Sequence, residues 1–223
     1  MTSPSEPTSY LNGMSSLEVT GLRPHIVTGL FLQLMREHFT EEDRIESQYL
    51  KDCIWVPKEE DPTTADPSKT TIRIDPVYRW NRTTTQQRPG IIIKRGAITP
   101  RKVGIGMNRN FGLGEDDFPE AGSKHIGFMY GSHSFLCIAG DGGMAEILAD
   151  EVTRHIMFFA PKLLREFGFS DLEIGQIGEV AILEEEKENF VVPVAVKYAY
   201  QNKWRLTKQE PRLKGIIIEN SNT

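Results

Sequence analysis

Residues 132–168, SHSFLCIAGDGGMAEILADEVTRHIMFFAPKLLREFG, decide the fold. In the first eight, Phe135, Cys137 and Ala139 alternate with Leu136 and Ile138, so apolar side chains fall on both faces of a period-two segment. That pattern predicts a strand covered on both sides. The turn Gly140-Asp141-Gly142-Gly143 changes the period. Met144, Ile147, Leu148, Val152, Ile156, Phe159 and Leu163 then recur every three to four residues, which predicts a helix over 143–168. Pro161 should kink or restart it, because proline lacks the amide hydrogen and its ring crowds the preceding turn, and Gly168 is a suitable stop.

Upstream, Pro24 sits where a helix start tolerates proline, and Ile26, Val27, Leu30, Phe31, Leu34, Met35 and Phe39 line one face of a helix over 24–39. Downstream, Phe190, Val192, Val194, Val196, Tyr198 and Tyr200 alternate over eleven residues, a strand whose Pro193, on the opposite face, points to an edge position or a bulge. LEIGQIGEVAIL (172–183) reads as a strand interrupted by Gly175 and Gly178. Between the helices, KDCIWV (51–56) reads as a short strand and KEEDPTTADPSK (58–69) as an exposed loop. TIRIDPVYRW (71–80) alternates until Asp75-Pro76, again an edge or bulge signal, and IIIKR (91–95) is another short strand. The fold class is therefore α/β of the α+β kind: one mixed, largely antiparallel sheet with two main helices packed on it, and with Phe31 and Phe159 in the core.

The length of 223 residues suits one large domain with arms, and 39% apolar against 26% charged residues is enough to bury a core. Residues 1–21, rich in Ser, Thr and Pro, read as a flexible N-terminal arm. Residues 22–210 read as a single domain with long loops near 57–71 and 99–122, the second carrying five glycines, and 211–223 read as a C-terminal extension. No run has the ~18 apolar residues a membrane span needs, and the N-terminus has no apolar leader core, so a non-secreted protein without a membrane partner is expected. Cys53 and Cys137 are the only cysteines, too few for a disulfide framework and without the spacing of a zinc site.

The net charge of −5 is unevenly spread. From Arg73 to Arg109 nine basic residues face one acid, Asp75, so this stretch carries +8 and the remainder −13. The candidate interaction strip is Arg79, Arg82, Arg88, Lys94, Arg95, Arg101, Lys102 and Arg109, facing either DNA or an acidic flank of a neighbouring copy. Glu184, Glu185, Glu186 and Glu188 form the candidate acidic counterpart. Ile216, Ile217 and Ile218, an apolar run in a polar tail, form a candidate docking segment that would add a strand to a neighbour.

Signatures of catalysis are missing from the sequence. The glycine pairs 104/106 and 112/114 lack the third glycine of a dinucleotide fingerprint, and no lysine follows Gly140–Gly143 as a phosphate loop requires. No two of the five histidines have the i, i+4 spacing of a helical metal site, and Ser132-His133-Ser134 is not a nucleophile elbow. His155 reads as a partly buried neighbour of aromatic residues, and the Asp116-Asp117 and 184–188 carboxylates as solvated. No enzyme, cofactor or metal is expected.

The order of elements, together with IRIDPVYRWNRTTTQQRPGIIIKR (72–95), GSHSFLCIAGDGGMAEILADEV (131–152) and ENFVVPVAVKYAYQNKW (188–204), resembles the tail terminator, or tail completion, proteins in the neck of tailed bacteriophages. The resemblance covers about residues 22–210. It implies a small α/β domain that assembles into a homo-oligomeric, hexameric ring, caps the tail tube, joins tail to head and leaves a channel for DNA. The partners it implies are further copies of the chain, the tail tube protein, the sheath protein where the tail contracts, a head-closure or connector protein, and genomic DNA met without sequence preference. The location it implies is the virion neck, after assembly in the host cytoplasm. The family's smaller members are far shorter, so the arm and the two long loops are additions for which the resemblance implies no role. A head-closure or adaptor ring protein of the same neck is the alternative. A free nucleic-acid-binding protein, the alternative from another class, would be basic overall, whereas the isoelectric point here is about 5.6.

Overall fold

The structure is a computed structural model that describes residues 22–79, 89–101, 123–183 and 189–206, the side chains of 123–126 and 202–206 excepted. The arm at 1–21, the segment 102–122 and the extension at 211–223 lie outside the described residues. The chain divides into two units. The larger comprises 22–101 and 128–201; of the smaller, only the strand ends 123–127 and 202–206 are described.

Helix α1 (Pro24–His38) starts with proline at its first position and ends in a turn carrying Arg36 and His38. A two-stranded antiparallel ribbon follows, β1 (Pro57–Lys58) with β2 (Asp61–Ala65). The main sheet then builds from β3 (Arg73–Pro76), β4 (Gly90–Arg95), β5 (Thr99–Arg101) and β6 (Ser123–Ala139). Helix α2 (Gly142–Glu166) and strands β7 (Phe169–Ile177), β8 (Ala181–Ile182) and β9 (Phe190–Leu206) complete it. The strand order is β3-β4-β6-β9-β7, with β5 beside β6 and β8 beside β9. β3 runs parallel to β4; the β4/β6, β5/β6, β7/β9 and β8/β9 pairs are antiparallel. This is the mixed α+β sheet with two helices that the periodicities predict.

One continuous core explains the arrangement. Val27, Phe31, Leu34 and Met35 of α1 and Ala145, Leu148, Val152, Ile156 and Leu163 of α2 share a cluster with the sheet. The sheet contributes Ile91, Ile93, Phe135, Cys137, Val192, Val194, Val196, Tyr198 and Tyr200. Each helix turns its predicted stripe to the core, with Leu30, Met144, Ile147 and Phe159 partly buried, and the alternation in β4, β6 and β9 turns the sheet's side chains to one face. Ile92 and Ile138, on the other face, are buried as well, so the central strands are covered on both sides. The Asp141 carboxylate accepts the Met144 amide and caps α2. At the other end Gly168 adopts φ 76°, a left-handed conformation that glycine reaches without steric cost.

Six expectations are corrected. α2 does not restart at Pro161: it is one helix from Gly142 to Glu166, with Ile156 before the proline and Leu163 after it both buried. Residues 51–56 are not a strand: Ile54 donates to Thr71 Oγ1 and Val56 to Thr70 Oγ1, so hydroxyls replace the carbonyls of a ladder, while Cys53 and Trp55 are still buried. The stretch 57–71 is not wholly a loop, since β1 and β2 pair within it. β5 likewise takes the start of the predicted 99–122 loop. β9 is an internal strand. Pro193 is tolerated there because its neighbour changes at that point, from β7, whose Ile177 faces Val194, to β8, whose Ala181 faces Val191. Only the Pro193 carbonyl is used, accepting the Gly178 amide at 2.7 Å. Pro76, by contrast, does lie in an edge strand, β3. Phe31 is fully buried, whereas Phe159 is half-buried and packs at the margin of the core.

Candidate functional site

Of the predicted basic strip, Arg79, Lys94, Arg95 and Arg101 fall in described segments, and all four are exposed. Register sets three of them along one edge of β6, with Lys94 and Arg95, as successive strand residues, on opposite faces of the sheet. Lys94 and Arg95 end β4 opposite Ser134 and His133 of β6, and Arg101 in β5 lies opposite Phe128 of the same strand. The Arg101 guanidinium stacks 4.9 Å from the centre of the Tyr130 ring. Because Pro76 of β3 is level with Ile93 of β4, Arg79, three residues further on, comes to the same end of the sheet. Among the described residues none of these four cations makes an ion pair. Arg82, Arg88, Lys102, Arg109, the acidic residues Glu184, Glu185, Glu186 and Glu188, and Ile216, Ile217 and Ile218 lie outside the described residues.

Two buried polar clusters escape sequence reading. In the first, His38 of α1 donates from Nε2 to Glu151 Oε1 of α2 at 2.8 Å, both side chains being buried. Glu151 also accepts the backbone amides of Glu46 at 3.0 Å and Ser47 at 3.2 Å. Burial alone would raise its carboxyl, but the His38 bond and the two amides outweigh it and hold it below the usual value. His155 stacks on His38, ring centres 3.9 Å apart, touches Phe159, and reaches the Leu34 carbonyl at 3.2 Å. It therefore has the predicted aromatic neighbour, and burial lowers its pKa to about 4, with His38 beside it adding to the shift. The signal in the sequence was Glu151 itself, an acid three residues from Leu148 on the buried stripe of α2. These groups border an open cleft of about 350 Å³, lined also by Arg44, Arg154 and Phe158. With both oxygens of Glu151 engaged, the cluster is a clamp fastening residues 46–47 and α1 to α2 rather than a proton-transfer site.

The second cluster lies between α1 and β6. The Thr28 hydroxyl donates to the Pro24 carbonyl at 3.1 Å, so its oxygen accepts from His133 Nε2–H at 2.9 Å. His133 Nδ1 and the Tyr198 hydroxyl are then buried without hydrogen-bond partners among the described residues. Burial, and secondarily Arg95, push the His133 imidazole down to about 4, so it is neutral at physiological pH. Burial also raises the Tyr198 phenol. Gly131 is required beside it, since a Cβ there would stand 2.7 Å from the Tyr198 oxygen. Cys53 and Cys137 are free and buried, with thiols raised by burial, which makes both poor nucleophiles.

Among the described residues, no group of three or more His, Cys, Asp and Glu side chains is arranged to hold a metal ion, and no helix is long and apolar enough to cross a membrane. The described surface carries exposed cations, Arg79, Lys94, Arg95 and Arg101, and exposed apolar side chains on α2 and on the β7–β8 corner. Comparison of the sequence with protein-family profiles and with curated proteins finds no match.

Proposed function

We propose that this chain is a ring-forming structural protein of a bacteriophage neck, a tail terminator that caps the tail tube and joins it to the head. The observation that carries the reading is the element order. A first helix, a strand group, a long strand, a second long helix and closing strands lie on one sheet with one shared core. That order is the one whose sequence phrases resemble the terminator family. The exposed rank of Arg79, Lys94, Arg95 and Arg101 supports a surface that meets a polyanion, as a channel for DNA requires. On this reading the chain's partners are further copies of itself, the tail tube protein and a head-closure or connector protein, and its location is the virion. Native mass spectrometry and negative-stain imaging of the purified full chain test the reading. A six-membered ring with a central hole is expected; a monomer at every concentration overturns it.

A further inference from the structure

Two exposed apolar patches lie at opposite ends of α2. The first is on its C-terminal half, where Phe158 is 79% and Met157 60% exposed and Leu164 is also exposed. The second is the β7–β8 corner, where Ile177 is 51% and Ile182 57% exposed beside exposed Val180. This corner packs on the start of α2: a Cβ added to Gly142 would lie 3.4 Å from Val180 Cγ1 and 3.7 Å from Phe190 Cδ1. At 1.5 Å per residue, the sixteen residues from Gly142 to Phe158 separate the patches by about 24 Å. Large apolar side chains grouped on a surface mark contact sites.

The charges beside the patches differ: near the first the bases Arg154, Lys162 and Arg165 are interleaved with Asp150 and Glu166, and at the second Glu179 is the acid between the apolar residues, with Asp171 and Glu173 further back along β7. Arg154, Lys162 and Arg165 stand at i−4, i+4 and i+7 from Phe158, so they share its helix face. Arg154 is engaged by Glu46 and Asp150, and Lys162 reaches Glu166 at 3.9 Å, but Arg165 has no ion pair among the described residues. On the corner, Glu173 pairs with Lys197 at 3.9 Å, while Glu179, between Ile177 and Ile182, is exposed and has no ion pair among the described residues.

We infer that the occupant of the α2 patch is the β7–β8 corner of a second copy of this chain, joined head to tail. Phe158 seats among Ile177, Val180 and Ile182 of the neighbour, and Arg165 faces its Glu179. Pairing either patch with itself would bring like charges together, which disfavours a two-fold dimer. Two different complementary patches on one subunit generate a ring when the rotation closes. β7 itself is a poor strand to extend, because its register shifts twice, between Phe169 and Asp171 and between Ile174 and Gln176. The contact is therefore made through side chains. The inference deepens the ring reading and rests on it.

The test uses the full chain with Phe158→Glu and Ile182→Glu, followed by native mass spectrometry and sedimentation. Each variant alone should weaken assembly by about a hundredfold or more while melting as the parent does, since both side chains are exposed; Phe158→Ser and Ile182→Ser replace either variant that melts early. Mixed together, the two should form a one-to-one heterodimer, because each keeps the patch the other lost. Arg165→Glu or Glu179→Arg should each weaken assembly and the pair should restore it. A wild-type ring whose single variants still close, or variants that stay apart when mixed, overturns this contact and leaves the ring reading standing. A wild-type chain that remains monomeric overturns both.

Discussion

Lowering the pH from 7.5 to 5 should destabilise the fold through His133, and the size of the loss follows from its surroundings. The ring is fully buried against Phe31 and Tyr198, and its Nε2–H is committed to Thr28, so an added proton must go to Nδ1, which has no partner among the described residues. Arg95 lies directly across the ladder and repels the resulting cation. The unfolded imidazole takes up its proton near 6.5, the folded one only near 4. Between those values the unfolded state binds more protons, so the stabilisation is complete above 6.5 and is lost as the pH falls through the window. At ~1.36 kcal/mol per unit, the roughly 1.5 units from 6.5 to 5 correspond to a loss of about 2 kcal/mol. His155, also lowered to about 4, is lost over the same window, so the measurement has to isolate His133. Urea unfolding of the parent and of His133→Phe at pH 7.5 and 5 does this: the variant, with no imidazole to titrate, should lose about 2 kcal/mol less than the parent between the two pH values. Equal losses would refute the idea that His133 is held neutral by burial.

Truncating Phe31 to Ala should cost about 3–5 kcal/mol, whereas Phe159→Ala, at the core's margin, should cost less than half as much; equal losses in urea unfolding contradict the packing described. Glu151→Ala strips three donors of their acceptor and should cost about 3 kcal/mol or more, with Glu151→Gln milder. Hydrogen exchange should then quicken at the Glu46 and Ser47 amides, and unchanged exchange there would mean the clamp does not hold that segment. Replacing Lys94, Arg95 and Arg101 with Ser should leave the mass of the assembly unchanged and flatten the salt dependence of DNA retention, by up to about 0.9 in logarithmic slope per phosphate contact removed. Disassembly of the triple variant would place these residues in a contact between subunits.

The sequence made the architecture readable because long periodic segments carry redundant signals. Six alternating side chains define the buried face of β9, and seven apolar positions define the stripe of α2. What it could not show was how neighbours decide between options that are locally balanced. Residues 51–56 have the composition of a strand, but Thr70 and Thr71 offer hydroxyls where a partner strand would offer carbonyls. Pro193 signals an edge only when the adjacent strand is continuous, and here β7 gives way to β8 beside it. The clamp at Glu151 was hidden because its donors, His38 and the amides of Glu46 and Ser47, lie more than a hundred residues away. Basic residues were visible as a run, but only strand register places Lys94 and Arg95 in line with Arg101 along β6.

Charge on this chain separates into two systems with different requirements. A seam between copies needs complementary charges, and Arg165 of α2 and Glu179 of the β7–β8 corner, neither of which has an ion pair among the described residues, meet that need together with apolar side chains that exclude water. The set of Arg79, Lys94, Arg95 and Arg101 is different: exposed Val77 and Tyr78 adjoin Arg79, Arg101 stacks on Tyr130, and the four have no ion-paired acid among the described residues. Glu41 is engaged by Arg44 and Glu46 by Arg154, and Asp61, held by the Thr63 hydroxyl and amide, also feels the charge of Arg79. Exposed pairs of that kind contribute little stability, so the set is not explained by folding either. On the proposed reading, cations without local partners are what a channel for DNA calls for. Phosphates recur along a duplex regardless of sequence, and cations spaced along one strand neutralise them through release of counterions. The same two systems separate by salt, because the apolar centre of the seam persists when the Debye length falls from ~8 Å to ~3 Å, whereas contacts to a polyanion are lost.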